Sequence, residues 1–279
     1  MTLRSRPTLA TGVAVLTTAI AVALAASPGA GAGAGAGASP LYPDLQTVVP
    51  RQLGVQNANQ REYVRFSNGI ANTGRGQLRV RPEPPVGTPT EFTTAIQELL
   101  DPSGNVVAEH NAGSFEWHEA HNHWHIGQVA LFEVRTARDD GSGGRYGAPV
   151  QNDRGEAQSV KTTFCLIDWY KLDGNANTKE RNFWDCERGY QGISPGWVDQ
   201  YHQSLEGQKL DVTGAAPGVY YLVSVSNPAG VFLESDTSNN TAWVSFRLSR
   251  DSEGNPKLTE LSHSRCSSPG LCGDNAPNR

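Results

Sequence analysis

The chain reads as an all-β protein, an antiparallel β-sandwich with long irregular loops and little helix. Three observations predict it. Short runs rich in Val, Tyr, Phe and Thr recur with apolar and polar residues alternating at a period of two. Gly, Pro and Asn punctuate these runs at turn positions, in a chain that carries 30 Gly and 17 Pro. Apolar residues at the 3.6-residue spacing of a helix are nearly absent.

In chain order, "YVRFSN" (Tyr63 to Asn68) and "QLRVRP" (Gln77 to Pro82) are the first strand candidates. "AIQELL", "DPSGN" and "VVAEH" follow as strand, turn and strand over residues 95–110. "VALFEVRTA" (Val129 to Ala137) and "VKTTFCLI" (Val160 to Ile167) come next, and "GVYYLVSVS" (Gly218 to Ser226) and "AWVSFRLS" (Ala242 to Ser249) close the set. The segment from Tyr170 to Gln200 has little pattern of its own. About thirty residues without regular structure in a compact domain predict a functional loop. Roughly 210 residues lie between Tyr42 and Arg250, the size of one large all-β domain. No internal repeat is visible.

The N-terminus reads as an export signal. Arg4 and Arg6 precede an apolar run, "TGVAVLTTAIAVALAA" (Thr11 to Ala26), that ends in small residues suited to signal peptidase. A lone N-terminal membrane anchor is the competing reading, and the Ala-x-Ala site favours cleavage over stable membrane insertion. Residues 27–41 contain "GAGAGAGAGAS" (Gly29 to Ser39), which offers no side chain able to build a core and is expected to be a flexible linker. A folded domain is expected over residues 42–250 and a tail over 251–279. Removal of residues 1–26 takes away two arginines and no acid, so the formal charge moves from −5 to −7. An acidic exterior argues against nucleic acid and is compatible with cationic, lysine-bearing partners. Four cysteines in an exported chain predict two disulfides. Cys266 and Cys272 enclose a short loop and are expected to pair, which leaves Cys165 with Cys186.

"FEWHEAHNHWHIGQ" (Phe115 to Gln128) holds four of the chain's seven histidines. Neutral imidazole is the commonest protein metal ligand, so the cluster proposes a metal. On a strand, His121, His123 and His125 fall at i, i+2 and i+4 and share one face, whereas a helix turns about 200° over each two-residue step and would scatter them. His118 has the opposite parity and would need a bulge to join. Three imidazoles with open positions suit Zn(II) or Cu(II) alike.

With these residues in view, the sequence resembles the lysyl oxidases, secreted copper and quinone enzymes that oxidise peptidyl lysine. "FEWHEAHNHWH" is similar to the family's histidine box, "KTTFCLID" (Lys161 to Asp168) to its Lys-x-x-Phe-Cys-Leu-x-Asp stretch, and "QGISPGWVDQY" (Gln191 to Tyr201) to a third. "LDVTGAAPGVYYLVSVSNPAGVFLESDTSNNTAWVSF" resembles the family's closing strands. The resemblance implies a protein-lysine 6-oxidase, with His121, His123 and His125 as Cu(2+) ligands and Lys161 and Tyr201 as precursors of lysine tyrosylquinone. Ala120 and Trp124 depart from the animal box, which has cysteine and tyrosine there, and no accessory domain precedes the catalytic part, as in a bacterial-type minimal enzyme. Cys165 and Cys186 match two family cysteines whose animal partners are missing here.

The implied reaction turns peptidyl lysine, O2 and water into the aldehyde, ammonia and hydrogen peroxide. Asp199, two residues before Tyr201, is the candidate base; an ordinary turn Asp after Pro195 and Gly196 is the alternative. The resemblance also implies a structural Ca(2+) held by Glu234, Asp236, Asn239 and Asn240 of "ESDTSNN", with Asp44 and the Leu45 carbonyl from "PDL", where hard oxygen ligands suit that ion. A secreted or wall-retained location follows. A non-catalytic copper- or zinc-binding sandwich and an oxidase of small primary amines are the alternative functions.

Overall fold

The computed structural model of the protein describes residues 39–83, 92–119, 122–138, 145–173, 181–186 and 189–277, with the backbone alone for residues 159–164. The expected export signal and most of the Gly/Ala tract lie outside these residues. Among them there is no α-helix, and sixteen strands run in chain order. The first eight are β1 (Leu45–Thr47), β2 (Arg51–Ala58), β3 (Arg61–Asn72), β4 (Leu78–Glu83), β5 (Phe92–Leu100), β6 (Val106–His118), β7 (His123–Ala137) and β8 (Tyr146–Pro149). The rest are β9 (Ser159–Phe164), β10 (Tyr170–Lys171), β11 (Gln191–Ile193), β12 (Trp197–Tyr201), β13 (Lys209–Asp211), β14 (Gly218–Ser226), β15 (Thr241–Arg250) and β16 (Pro256–His263).

They form two antiparallel sheets. The larger runs β11-β4-β5-β6-β7-β14-β15-β16, with β8 and β9 also pairing to β7. The smaller runs β1-β3-β12-β10, with β2 and β13 pairing to β3. Alternation decides which side chains meet between them. Phe132 on β7 and Phe66 on β3 are fully buried and cross edge to face at 4.9 Å, joining the sheets. Leu222, Phe246 and Ile126 pack into the same core. Each such side chain contributes about 1.5–3 kcal/mol on leaving water. The all-β sandwich expectation is met.

Two departures have physical reasons. The segment expected to be a patternless loop contains β10, β11 and β12. These strands have two, three and five residues, too short for a period to show. β12 also lies between β3 and β10, so Trp197, Val198, Asp199 and Gln200 are all buried and do not alternate. Close packing also dictates Gly192 in "QGISPG": a Cβ there would overlap the Leu78 carbonyl and the Phe183 ring. Secondly, β16 falls in the segment read as a tail, yet it extends the larger sheet by pairing with β15. Both disulfides, Cys165–Cys186 and Cys266–Cys272, are present as expected.

In β7, Gln128 takes a φ of 61° and the register with β9 shifts between Ile126 and Ala130. The irregularity turns Gln128 to solvent and leaves the parity of the strand the same on both sides. Trp124 and Ile126 before it and Ala130, Phe132 and Val134 after it all face the core.

Candidate active site

β6 and β7 form a hairpin in which His118 lies opposite His123, Trp117 opposite Trp124, Glu116 opposite His125 and Phe115 opposite Ile126. The rows alternate. Phe115, Trp124 and Ile126 are buried, and Trp117 meets Trp124 edge to face at 5.2 Å, which anchors the hairpin on the core. Directly opposed residues share a face. The other face therefore carries His118, His123, Glu116 and His125 together.

There the His123 and His125 Nε2 atoms approach to 3.0 Å. Two nitrogens each about 2.0 Å from one ion and at a right angle to each other stand about 2.8 Å apart, so this pair suits a shared metal. The His118 ring stacks on His125 at 4.7 Å, with 4° between planes. Parity along one strand had set His118 apart; the antiparallel partner strand brings it in without the bulge it was expected to need. β7 begins at His123, and Asn122 before it takes a left-handed φ of 56°. The i, i+2, i+4 alternation therefore does not run back through Asn122, and His121 lies outside the described residues. Among the described residues, no group of three or more His, Cys, Asp or Glu side chains is gathered closely enough to hold a metal ion.

β9 brings the Lys161 segment alongside. Phe164 lies opposite Ile126, next to His125, and Lys161 opposite Leu131 further along β7; the lysine side chain is outside the described residues. Tyr201 ends β12, opposite Asn68 on β3. Its hydroxyl donates to the Cys165 carbonyl at 2.6 Å, one residue beyond the end of β9. The phenol thus sits at the end of the strand bearing Lys161, and next to the strand bearing the histidine pair.

Asp199 is buried, with 1% of its surface exposed. Burial first, then the charge of Asp168, pushes its carboxyl well above the usual range, against hydrogen bonds from Tyr201 and the Ile167 backbone that lower it. Burial also pushes the Tyr201 phenol well up, helped by the Asp199 charge and hydrogen bond.

Three side chains whose part the sequence did not show hold this site. The fully buried Asp168 carboxylate accepts from the backbone of Asn182, Phe183 and Ser194 and from the Ser194 hydroxyl. Gln191 donates to the Trp124 carbonyl and accepts from the Leu166 N–H, stitching the histidine hairpin to the segment after β9. His118 is the third. Asp168 and Gln191 stand inside the two motifs quoted above, but no local pattern reveals their distant partners.

At the expected calcium site, Glu234 accepts from the Leu45 N–H at 2.8 Å and from Asn240 Nδ2 at 2.8 Å, and Asn239 Nδ2 donates to Asp44 at 3.0 Å. The start of the domain and the turn before β15 are therefore in contact. Asn239 Oδ1 and Asn240 Oδ1 are buried without a hydrogen-bond partner, as two oxygens facing a cation would be. Asp236 is exposed and accepts from the Ser238 backbone and hydroxyl instead.

A family model described as "Lysyl oxidase" matches residues 91–253, more than half of the chain. Protein-lysine 6-oxidase of Sus scrofa is 31% identical over 135 residues, covering 48% of this chain and 47% of that protein. Lysyl oxidase homolog 1 of Homo sapiens is 32% identical over 127 residues, 46% of this chain and 19% of its own length. Lysyl oxidase homolog 3A of Danio rerio is 28% identical over 181 residues, 64% of this chain and 18% of its own. The chain spans about half or less of the length of these relatives. With the family match running through the histidine hairpin, β9 and the Tyr201 strand, the chain belongs to the lysyl oxidase family.

Proposed function

We propose that the protein is a secreted copper- and quinone-dependent amine oxidase acting on peptidyl lysine. The observation that supports this most is the Tyr201 to Cys165 hydrogen bond. It sets a phenol at the end of the strand bearing Lys161, which pairs with the strand bearing His123 and His125. His121, His123 and His125 would hold Cu(2+), and Lys161 and Tyr201 would supply the lysine tyrosylquinone. Bound there, these groups would supply an electron sink through which the lysine carbon bearing nitrogen would be oxidised, with water giving the aldehyde oxygen, ammonia leaving and O2 reduced to hydrogen peroxide.

The chain's own residues do the positioning and the proton transfer. Asp199 would take the proton from the substrate carbon once it has given up its own; the burial that raises its pKa makes the resulting carboxylate a stronger base than an exposed one. The Cys165 carbonyl fixes the phenol, and the Cys165–Cys186 disulfide fixes Cys165. Lys161 must present an unprotonated Nζ to bond with the oxidised ring. Asp44, Leu45, Glu234, Asp236, Asn239 and Asn240 would hold Ca(2+) and clip the domain's start to its last hairpin. Residues 1–26 would direct export, residues 27–41 would tether the catalytic domain that begins at residue 42, and Cys266–Cys272 would close the segment after β16.

Peptide mapping tests this. Digestion of copper-loaded protein should yield one covalently joined pair of peptides, containing Lys161 and Tyr201 and reactive with phenylhydrazine. His123→Ala should remove most of the copper, whereas Tyr201→Phe should keep it and lose both the adduct and peroxide release. Bound copper with no crosslink and no peroxide from any lysine-rich substrate would leave a non-catalytic metal-binding sandwich. Peroxide from small primary amines alone would make it an oxidase of those.

A further inference from the structure

Across the larger sheet, Phe92 on β5 lies opposite Glu116 on β6, and Glu116 lies opposite His125 on β7. Opposed side chains share a face, so the three form one row. It is the face that carries the histidine pair, because the adjoining rows, Phe115 with Ile126 and Trp117 with Trp124, turn toward the core. Glu116 is exposed, Phe92 is 56% exposed, and Glu116 forms no ion pair among the described residues. Whatever approaches His125 from solvent on this face meets Glu116 one strand spacing away, about 4.8 Å, and Phe92 one spacing further out.

We infer that Glu116 and Phe92 form the docking row for the substrate's lysyl side chain. Glu116 attracts the ammonium by charge, and the Phe92 ring covers the four-carbon stem. The inference rests on the proposed oxidase function and adds the residues that select its substrate. The chemistry follows from the groups present. An unpaired carboxylate favours a cation over a neutral or anionic side chain. An aromatic ring two strands from the metal site adds apolar contact along a methylene chain and a negative face to a charged head. Among the described residues Glu116 is the acid directly opposite a histidine of the candidate site, and among them it has no ion-pair partner.

Binding separates this from turnover. In the copper-loaded Tyr201→Phe protein, which binds without reacting, calorimetry compares a lysine peptide with the same peptide carrying norleucine. Glu116→Gln should weaken the lysine peptide about fivefold, the size expected of one solvent-accessible ion pair, and leave the norleucine peptide unchanged. Phe92→Ala should weaken both. In the otherwise wild-type enzyme, Glu116→Gln should raise KM by the same factor with kcat and copper content unaltered. The wild-type preference for lysine should fade with added salt, while that of Glu116→Gln should not. Equal binding of both peptides, an unchanged Kd in Glu116→Gln, or a loss of copper in that variant would each overturn the assignment. If Glu116 selects lysine but the wild-type protein makes no crosslink and no peroxide, the oxidase function fails and the lysine site stands.

Discussion

Asp168→Asn tests whether one buried carboxylate organises the loop beside the Tyr201 phenol. Asp168 Oδ2 accepts from the Asn182 N–H at 2.9 Å, the Phe183 N–H at 3.1 Å and the Ser194 hydroxyl at 2.8 Å, while Oδ1 accepts from the Ser194 N–H at 2.7 Å. An amide keeps one acceptor. If its oxygen stays with Ser194 N–H, its NH2 faces two backbone donors, and the Ser194 hydroxyl can turn to accept. Two charge-assisted bonds are lost. At about 1.5–3 kcal/mol each, and with some relaxation of the loop, the expected destabilisation is about 3–4 kcal/mol. For a domain of this size that lowers Tm by about 10 °C. Urea denaturation of the copper-free protein measures the first figure and calorimetry the second. Hydrogen exchange should also accelerate at the amides of Asn182, Phe183 and Ser194 before the sheets open. A loss below about 1 kcal/mol, the value of one ordinary hydrogen bond, would refute the argument, as would exchange that rises evenly across the domain.

Two further predictions concern charge and the domain's start. Asp199 has a pKa raised by burial, so its neutral form is favoured in the folded state, and that contribution is full below the usual carboxylate value and lost as pH rises through the raised one. Asp199→Asn copies the neutral form; its Tm should therefore gain on the wild type as pH rises from acid to neutral, and parallel Tm curves would contradict the shift. At the proposed calcium site, adding Ca2+ to chelated protein should stabilise it by mass action, by about 2.7 kcal/mol at a hundred times Kd, with a matching rise in Tm, and Glu234→Gln should abolish most of that rise. An unmoved Tm in wild-type protein stripped of calcium but not copper would discard the site.

The sequence by itself determined the fold class, both cysteine pairs and the membership that three ordered motifs announce. These are local or compositional signals: β-branched runs, turn residues, cysteine count and a histidine cluster. A period of two also predicted correctly that His123 and His125 share a face, since alternation is built into any extended strand. What the tertiary structure decided depends on which strands lie side by side. His118 joins the histidines only because β6 folds back on β7, and Glu116 faces His125 for the same reason. β12 could not be read as a strand because a segment buried on both sides has no alternation. Asp168 and Gln191 act on residues 14 to 67 positions away. Register and long-range hydrogen bonding are set by the packing of two sheets over a common core, and a sequence pattern that spans a single strand carries no record of the neighbour it will meet.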